Sequence, residues 1–322
     1  MNTLILPKLK TFVWLLKREY WEHRGGFFWA PLITGGIAVF FGILGTVIGV
    51  AHSPPPGGSI KSAEGYQQLF GSTGDVLILT SIFLTSLILT LSMIFYVLGS
   101  LHNDRHDRTI LFWKSLPISD IQTVLSKVTW ALLPGPLIAV TIGMVTGLIL
   151  LLLASTGLLI AGQPYPWAMI THSHPFQILS LMLDIIPKQM LWSLPTIGWL
   201  MFCSAWVKTK PFLWALLLPI LSCMMITILG AMPGVRLPLF NIWHIFVYRG
   251  LLSTVPCSWW TMNEQNIYID YLKAYPDNFV NFLLQQSQNV QIYHTSDLWI
   301  GVCVGIAFII AAIYLRHRSN EL

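Results

Sequence analysis

The sequence predicts an all-α, polytopic membrane protein of six transmembrane helices, and three observations carry that prediction. Hydrophobic residues make up 55% of the chain and charged residues only 10%, a balance unsuited to a water-solvated surface. Several apolar runs reach the roughly 20 residues needed to cross a hydrocarbon core about 30 Å thick. Lys and Arg cluster between those runs rather than along one stripe, so the formal charge of +5 reads as membrane topology and not as a nucleic-acid footprint. Helices are the expected element because in lipid they satisfy their own backbone hydrogen bonds.

The chain reads as one transmembrane domain over residues 1–322. Residues 1–26 are expected to form an interfacial elbow helix. Ile5, Leu9, Phe12, Val13, Leu16 and Tyr20 recur at helical spacing, opposite Lys10, Lys17, Arg18 and Glu22. Trp14 and Trp21 suit the headgroup boundary. Charges interrupt the stretch and no small-residue cleavage site follows it, so retention is expected rather than removal as a signal peptide. The first span is expected over 27–51 and the second over 76–101, followed by a dense polar segment within 102–120. Ser119 with Gln122 forms a capping-box pattern that opens the next helix. The third span is expected over 128–153. The fourth, between 176 and 208, contains Pro187 and Pro195 and is expected to be kinked or broken. The fifth and sixth follow at 212–231 and 298–315, separated by the longest non-spanning stretch, 232–297, expected to be extracytoplasmic.

Orientation follows from the basic residues. Of the 18 Lys and Arg, Lys8, Lys10, Lys17, Arg18, Arg24, Arg105, Arg108, Lys114, Lys127, Lys208, Lys210, Arg316 and Arg318 fall on the side of the termini. The positive-inside rule places both termini in the cytoplasm. GxxxG pairs at Gly45 and Gly49, Gly143 and Gly147, and Gly301 and Gly305 permit close helix approach, within one chain or between two.

Motifs for chemistry are sparse. HExxH, GxSxG and GxxxxGK[ST] do not occur, so the chain is not expected to be an enzyme or to hydrolyse ATP by itself. Four separated cysteines form no CxxC or disulfide pattern. His102 and His106 stand one turn apart beside Asp104 and Asp107, but the segment reads as a solvated helix with an Asp104–Arg108 pair rather than a metal site. His172 and His174 form an HxH pair with no carboxylate near them in sequence. No metal site is therefore expected. Asp184 and Lys188 are spaced to pair on one helix face. They either lie inside the membrane, lining a polar pathway or holding a kinked helix, or mark a fourth span that starts later, at the interface.

Between the second and third spans, Asp107, Arg108, Thr109, Ile110 and Leu111 are followed by Ser115, Leu116, Pro117, Ile118 and Ser119, then by Lys127 where the next span begins. This order resembles the ABC-2 type permease family, with Thr109 where glycine is common and a longer outer segment. The resemblance implies the type V exporter-like architecture: an elbow helix, six spans and an extended outer segment before the last. It implies a permease subunit of an ATP-binding-cassette exporter in a bacterial inner membrane. Two copies of a separate ATPase, holding ATP and Mg, would dock on a coupling segment whose contacts are Asp104, Arg105, Asp107, Arg108, Thr109, Leu111, Trp113, Leu116 and Pro117. A second permease copy, identical or homologous, membrane lipids and an exported substrate of unknown chemistry complete the partners, with no nucleic acid and no cofactor in this chain. Independently, apolar Ile110, Leu111, Phe112 and Trp113 ringed by charge offer anchors with a charged rim. The competing readings are an ion-gradient-driven secondary transporter and a non-enzymatic membrane assembly protein.

Overall fold

A computed structural model describes residues 5–52, 63–106, 119–232, 242–259, 280, 283–284 and 291–318. Among them no strand occurs, and eight main helices form one array. Helix α1 (Ile5–Arg24) kinks at His23 and continues through a π-helical turn, Gly25–Trp29, into α2 (Ala30–Ala51). Two adjacent glycines make that turn inexpensive to bend. Helix α3 (Ala63–His106) is 44 residues long. At 1.5 Å per residue it extends about 66 Å, well beyond a hydrocarbon core.

The expected third span is two helices, α4 (Asp120–Leu132) and α5 (Pro134–Ile160). Leu133 (φ −117°, ψ −66°) separates them because Pro134 supplies no N–H and crowds the residue before it. The capping box opens α4 as its spacing predicts: the Ser119 hydroxyl accepts from the Gln122 amide at 3.2 Å, and the Gln122 side chain accepts from the Ser119 amide at 3.5 Å. Helix α6 (Pro175–Trp206) follows, then α7 (Pro211–Gly230) and α8 (Ser296–Arg318).

Among the described residues, five stretches are long and apolar enough to cross a membrane: Lys10–Ala51, Leu69–Asp104, Asp120–Ile160, Pro211–Gly230 and Ser296–Arg318. They mark the chain as a multi-pass membrane protein. The fourth expected span, α6, does not meet that description, and its packing explains why. Sixteen of its 32 residues are buried, Lys188, Ser193, Thr196 and Ser204 among them. A helix enclosed by other helices has little lipid-facing surface and can carry polar groups that a peripheral helix could not. The expected break is also absent, since α6 runs unbroken through Pro187 and Pro195. Near Pro195 the Arg249 side chain donates to the Trp192 carbonyl, an outside hydrogen bond of the kind that helps such helices tolerate proline.

Contacts give each helix its direction. Asp75 of α3 meets His174 at the start of α6, and Leu98 of α3 meets Ser204 near its end, so α3 and α6 run parallel. Thr85 of α3 donates to the Ala139 carbonyl of α5 at 3.1 Å, and Gly147 lies against Ile78, so α5 runs opposite to α3. A Cβ at Gly143 would come within 2.6 Å of Ile82 Cα, and one at Gly147 within 2.7 Å of Ile78 Cα. Helices α6 and α8 cross just as closely, where a Cβ at Gly198 would come within 2.5 Å of the Gly305 carbonyl. Two of the three GxxxG pairs thus serve packing within the chain. Around Gly45 and Gly49 nothing lies within 4 Å of a Cβ.

The larger buried cluster joins Phe27, Tyr96, Val97, Val124, Trp130, Ile197, Met201 and Ile309 at the end of the array that holds α1, α4 and the end of α8. A second, around Ile78, Ile82, Leu151, Met169 and Ile178, fills the opposite end. After α7, a π-helical turn at His244–Arg249 leads into residues 250–259, which return into the array. Thr90 of α3 donates to the Thr254 carbonyl at 3.2 Å, Gln189 of α6 to the carbonyls of Ser253 and Val255 at 2.9 and 3.1 Å, and the Thr196 and Ser253 hydroxyls meet at 2.5 Å. Side chains thereby satisfy a non-helical backbone that lies deep among helices.

Candidate functional site

Two features could carry function: a chain of charges at the end that holds α1, and a cavity beside the returning stretch. Glu19 is fully buried on α1, as is Lys127 on α4 at 1% exposure. The Lys127 ammonium lies 3.5 Å from Glu19 Oε1 and 3.7 Å from Asp104 Oδ2. Arg316, at the end of α8, reaches Asp104 Oδ2 at 3.4 Å through Nη1 and Asp120 Oδ1 at 3.0 Å through Nε. On the other side Arg18 contacts Glu19 Oε1 at 2.5 Å, while the Tyr96 hydroxyl of α3 donates to Glu19 Oε2 at 2.8 Å. The order Arg18, Glu19, Lys127, Asp104, Arg316, Asp120 alternates in sign, three cations against three anions, across α1, α3, α4 and α8.

Desolvating single charges is costly, and alternation lets each lean on two opposite neighbours. Glu19, Glu22 and His23 place ligand atoms within 4.8 Å of one another. Both Glu19 oxygens are already engaged by Arg18, Lys127 and Tyr96, so the group belongs to the ion network. The arrangement is suited to locking four helix ends together. It offers no nucleophile beside a base.

The cavity, about 240 Å³, lies between α3, α5, α6 and the returning stretch. Leu79, Ile82, Leu89, Met93, Leu181 and Ile185 give it apolar walls, and Gln189, Thr254 and Cys257 are among its more polar lining residues, with Ser86, Thr90 and Ser193. The Thr254 hydroxyl and Gln189 Oε1 are buried without a partner. Cys257 has φ 61°, a left-handed conformation rare outside glycine, at the cavity wall.

The structure brings some expected site residues together and separates others. Arg108, the expected partner of Asp104, lies outside the described residues, and Asp104 itself does not sit on a solvated helix. Its side chain is 11% exposed and bonds Lys127 and Arg316, because α4 and the end of α8 cover it. Arg105 occupies the last turn of α3. Asp107, Arg108, Thr109, Leu111, Trp113, Leu116 and Pro117 lie outside the described residues, as does the greater part of the 232–297 segment. Asp184 and Lys188 pair on α6 at 2.7 Å, with the lysine side chain 3% exposed and the aspartate 40%.

Sequence reasoning missed Glu19, Asp120 and Arg316 as members of one network, and Asp75 as the partner of His174. The HxH pair does have a carboxylate after all. Asp75 accepts from the His174 amide at 2.6 Å and meets its ring Nδ1 at 3.1 Å, capping the start of α6 from another helix. Comparison with family models, with curated proteins and with solved structures finds no match for the chain.

Proposed function

We propose that the chain is the membrane-spanning permease subunit of an ATP-binding-cassette exporter in a bacterial inner membrane, coupling nucleotide hydrolysis by a separate ATPase to outward movement of a substrate. The observation that carries the reading is the alternating chain of charges from Arg18 to Asp120. The end of α3 and the start of α4, which residues 107–118 join in sequence, carry Asp104 and Asp120 of that network, so a load on either helix end meets α1, α3, α4 and α8 as one unit. The order of residues 107–127, with its resemblance to ABC-2 permeases, supports the same assignment, and Lys127 of that order sits in the network.

In this reading α6 is the fourth of six crossings, protected by its neighbours, and both termini are cytoplasmic. Residues 107–117 dock the ATPase, two copies of which serve two permease copies. Helices α2 and α7 have the least covered apolar surfaces, 6% and 17% of their most apolar stretches being buried, and the second copy packs over part of them. The cavity and the returning stretch lie beside the path.

The test is co-purification with candidate cytoplasmic ATPases. A stoichiometric nucleotide-binding subunit is expected to be retained by the natural chain and lost from Leu111→Glu and Trp113→Glu variants that still elute as folded protein. Retention of the ATPase by both variants rejects the docking assignment. Labelling of a thiol introduced at residue 113 from outside intact cells rejects the orientation as well.

A further inference from the structure

The cavity beside the returning stretch has a length as well as a volume. Its lining on α3 runs from Leu79 to Met93 and on α6 from Leu181 to Ser193. At 1.5 Å per residue these stretches are about 21 Å and about 18 Å long. The two helices are parallel, and α4 and α5 face them from Ala131 to Val140, so the 240 Å³ form a slot along the helix axes rather than a round chamber. One leaflet of a hydrocarbon core is about 15 Å deep. The slot is therefore as long as a lipid tail.

Its chemistry agrees with that length. Among the described residues that line it there is no Asp, Glu, Lys, Arg or His, and its accessible surface is almost wholly apolar. The Thr90 hydroxyl is spent on the Ser86 and Thr254 carbonyls and that of Ser193 on the Met190 carbonyl. The unpartnered Thr254 hydroxyl and Gln189 Oε1 have no accessible surface, so an occupant of the slot meets carbon and sulfur. A water molecule there would lack the two to four polar partners it needs. Met93, Met182 and Met190 supply adaptable wall. The slot reaches the outside at Phe83, which is 47% exposed, on a part of α3 with no Asp, Glu, Lys or Arg between Asp75 and Asp104. Its mouth thus faces hydrocarbon and not water.

We propose that the slot holds one hydrocarbon tail of a lipid of the surrounding bilayer, extended along α3 and α6 with its headgroup outside. Recognition is by length and apolarity, and the charge of the headgroup is not read. The site rests on the chain being a multi-pass membrane protein and is independent of any ATPase. Cys257 stands at the slot wall with part of its surface accessible, whereas Cys303 is exposed on α8, away from the slot. The two thiols therefore report separately on a tail inside the protein and on lipid around it.

The full chain is reconstituted in bilayers of phosphatidylcholine carrying a photoactivatable diazirine in the middle of one acyl chain, irradiated, and its adducts are mapped by peptide mass spectrometry. Adducts are expected at Cys257 as well as at Cys303. Ser86→Phe on α3 and Leu132→Trp on α4 each fill the slot from one side. Either is expected to lower the Cys257 to Cys303 adduct ratio about tenfold, the scale of two methylene groups kept out of an apolar site. Phosphatidylglycerol with the same labelled chain is expected to give the same ratio as phosphatidylcholine. No adduct at Cys257 in the natural chain overturns the proposal, as does a ratio unchanged in both variants. A ratio several-fold higher with phosphatidylglycerol overturns it too, since the headgroup would then be read. So do Cys257 adducts that form from a labelled free long-chain alcohol and not from the phospholipid, because the occupant would not be a bilayer lipid. If neither variant elutes as folded protein, the Cys257 adduct and the headgroup comparison in the natural chain decide.

Discussion

Lys127 illustrates what a single side chain does in this protein. Its ammonium stands between Glu19 and Asp104 with almost no solvent contact. Lys127→Met would leave two buried carboxylates facing each other's charge, and loss of one member of a buried pair costs about 3–5 kcal/mol. A clear drop in the thermal unfolding midpoint in detergent is therefore expected. The double variant Glu19→Gln with Lys127→Met is expected to be more stable than the sum of its parts, because each change removes the penalty exposed by the other. Additive losses would mean that the two groups do not share one network. Lys127 was noticeable in the sequence through its place after the 107–119 motif. Glu19 was not, because its partners are a tyrosine 77 residues away and a lysine farther still. Asp75 and His174 are 99 residues apart, beyond the reach of any spacing argument.

Helix positions were legible, because apolar runs between basic clusters state where segments cross lipid. The ends of α7 and α8 fall within a few residues of expectation. What the runs could not state is which helix stands in the middle. Pro187, Pro195, Asp184 and Lys188 read as signs of a broken or late-starting segment, whereas they belong to a continuous helix wrapped by others. The stretch 250–259 was equally opaque, since its mixed composition has no period and its depth depends on Thr90, Gln189 and Thr196. Glycine contacts separate the two kinds of helix surface. Gly143→Leu would drive a side chain into the backbone of α3 at Ile82 and is expected to abolish recovery of monodisperse protein. Gly45→Leu points into open space and is expected to leave unfolding of the isolated chain within about 0.5 kcal/mol of the natural protein. Comparable yields of the two variants would contradict the close α3–α5 packing.

At the scale of the molecule, charge and apolarity are sorted by position. The alternating network stands at one end, the Asp75–His174 cap belongs to the other, and an apolar cavity lies between helices from both clusters. If a second copy covers α2, a cysteine placed at Gly45 in a chain otherwise free of cysteine is expected to cross-link to its twin in native membranes, while one placed at Gly143 is not. Equal cross-linking at both positions, or none at either, would count against α2 as the contact between copies. The returning stretch also has a consequence for how the protein is made. A ribosome completes α3 and α6 long before residues 253–255 exist, so Thr90, Gln189 and Thr196 enter the translocon with their eventual acceptors not yet synthesised. The nascent chain must keep a gap among its helices until that late piece arrives, and a chain halted after α7 would expose a wet seam that insertase factors would have to shield.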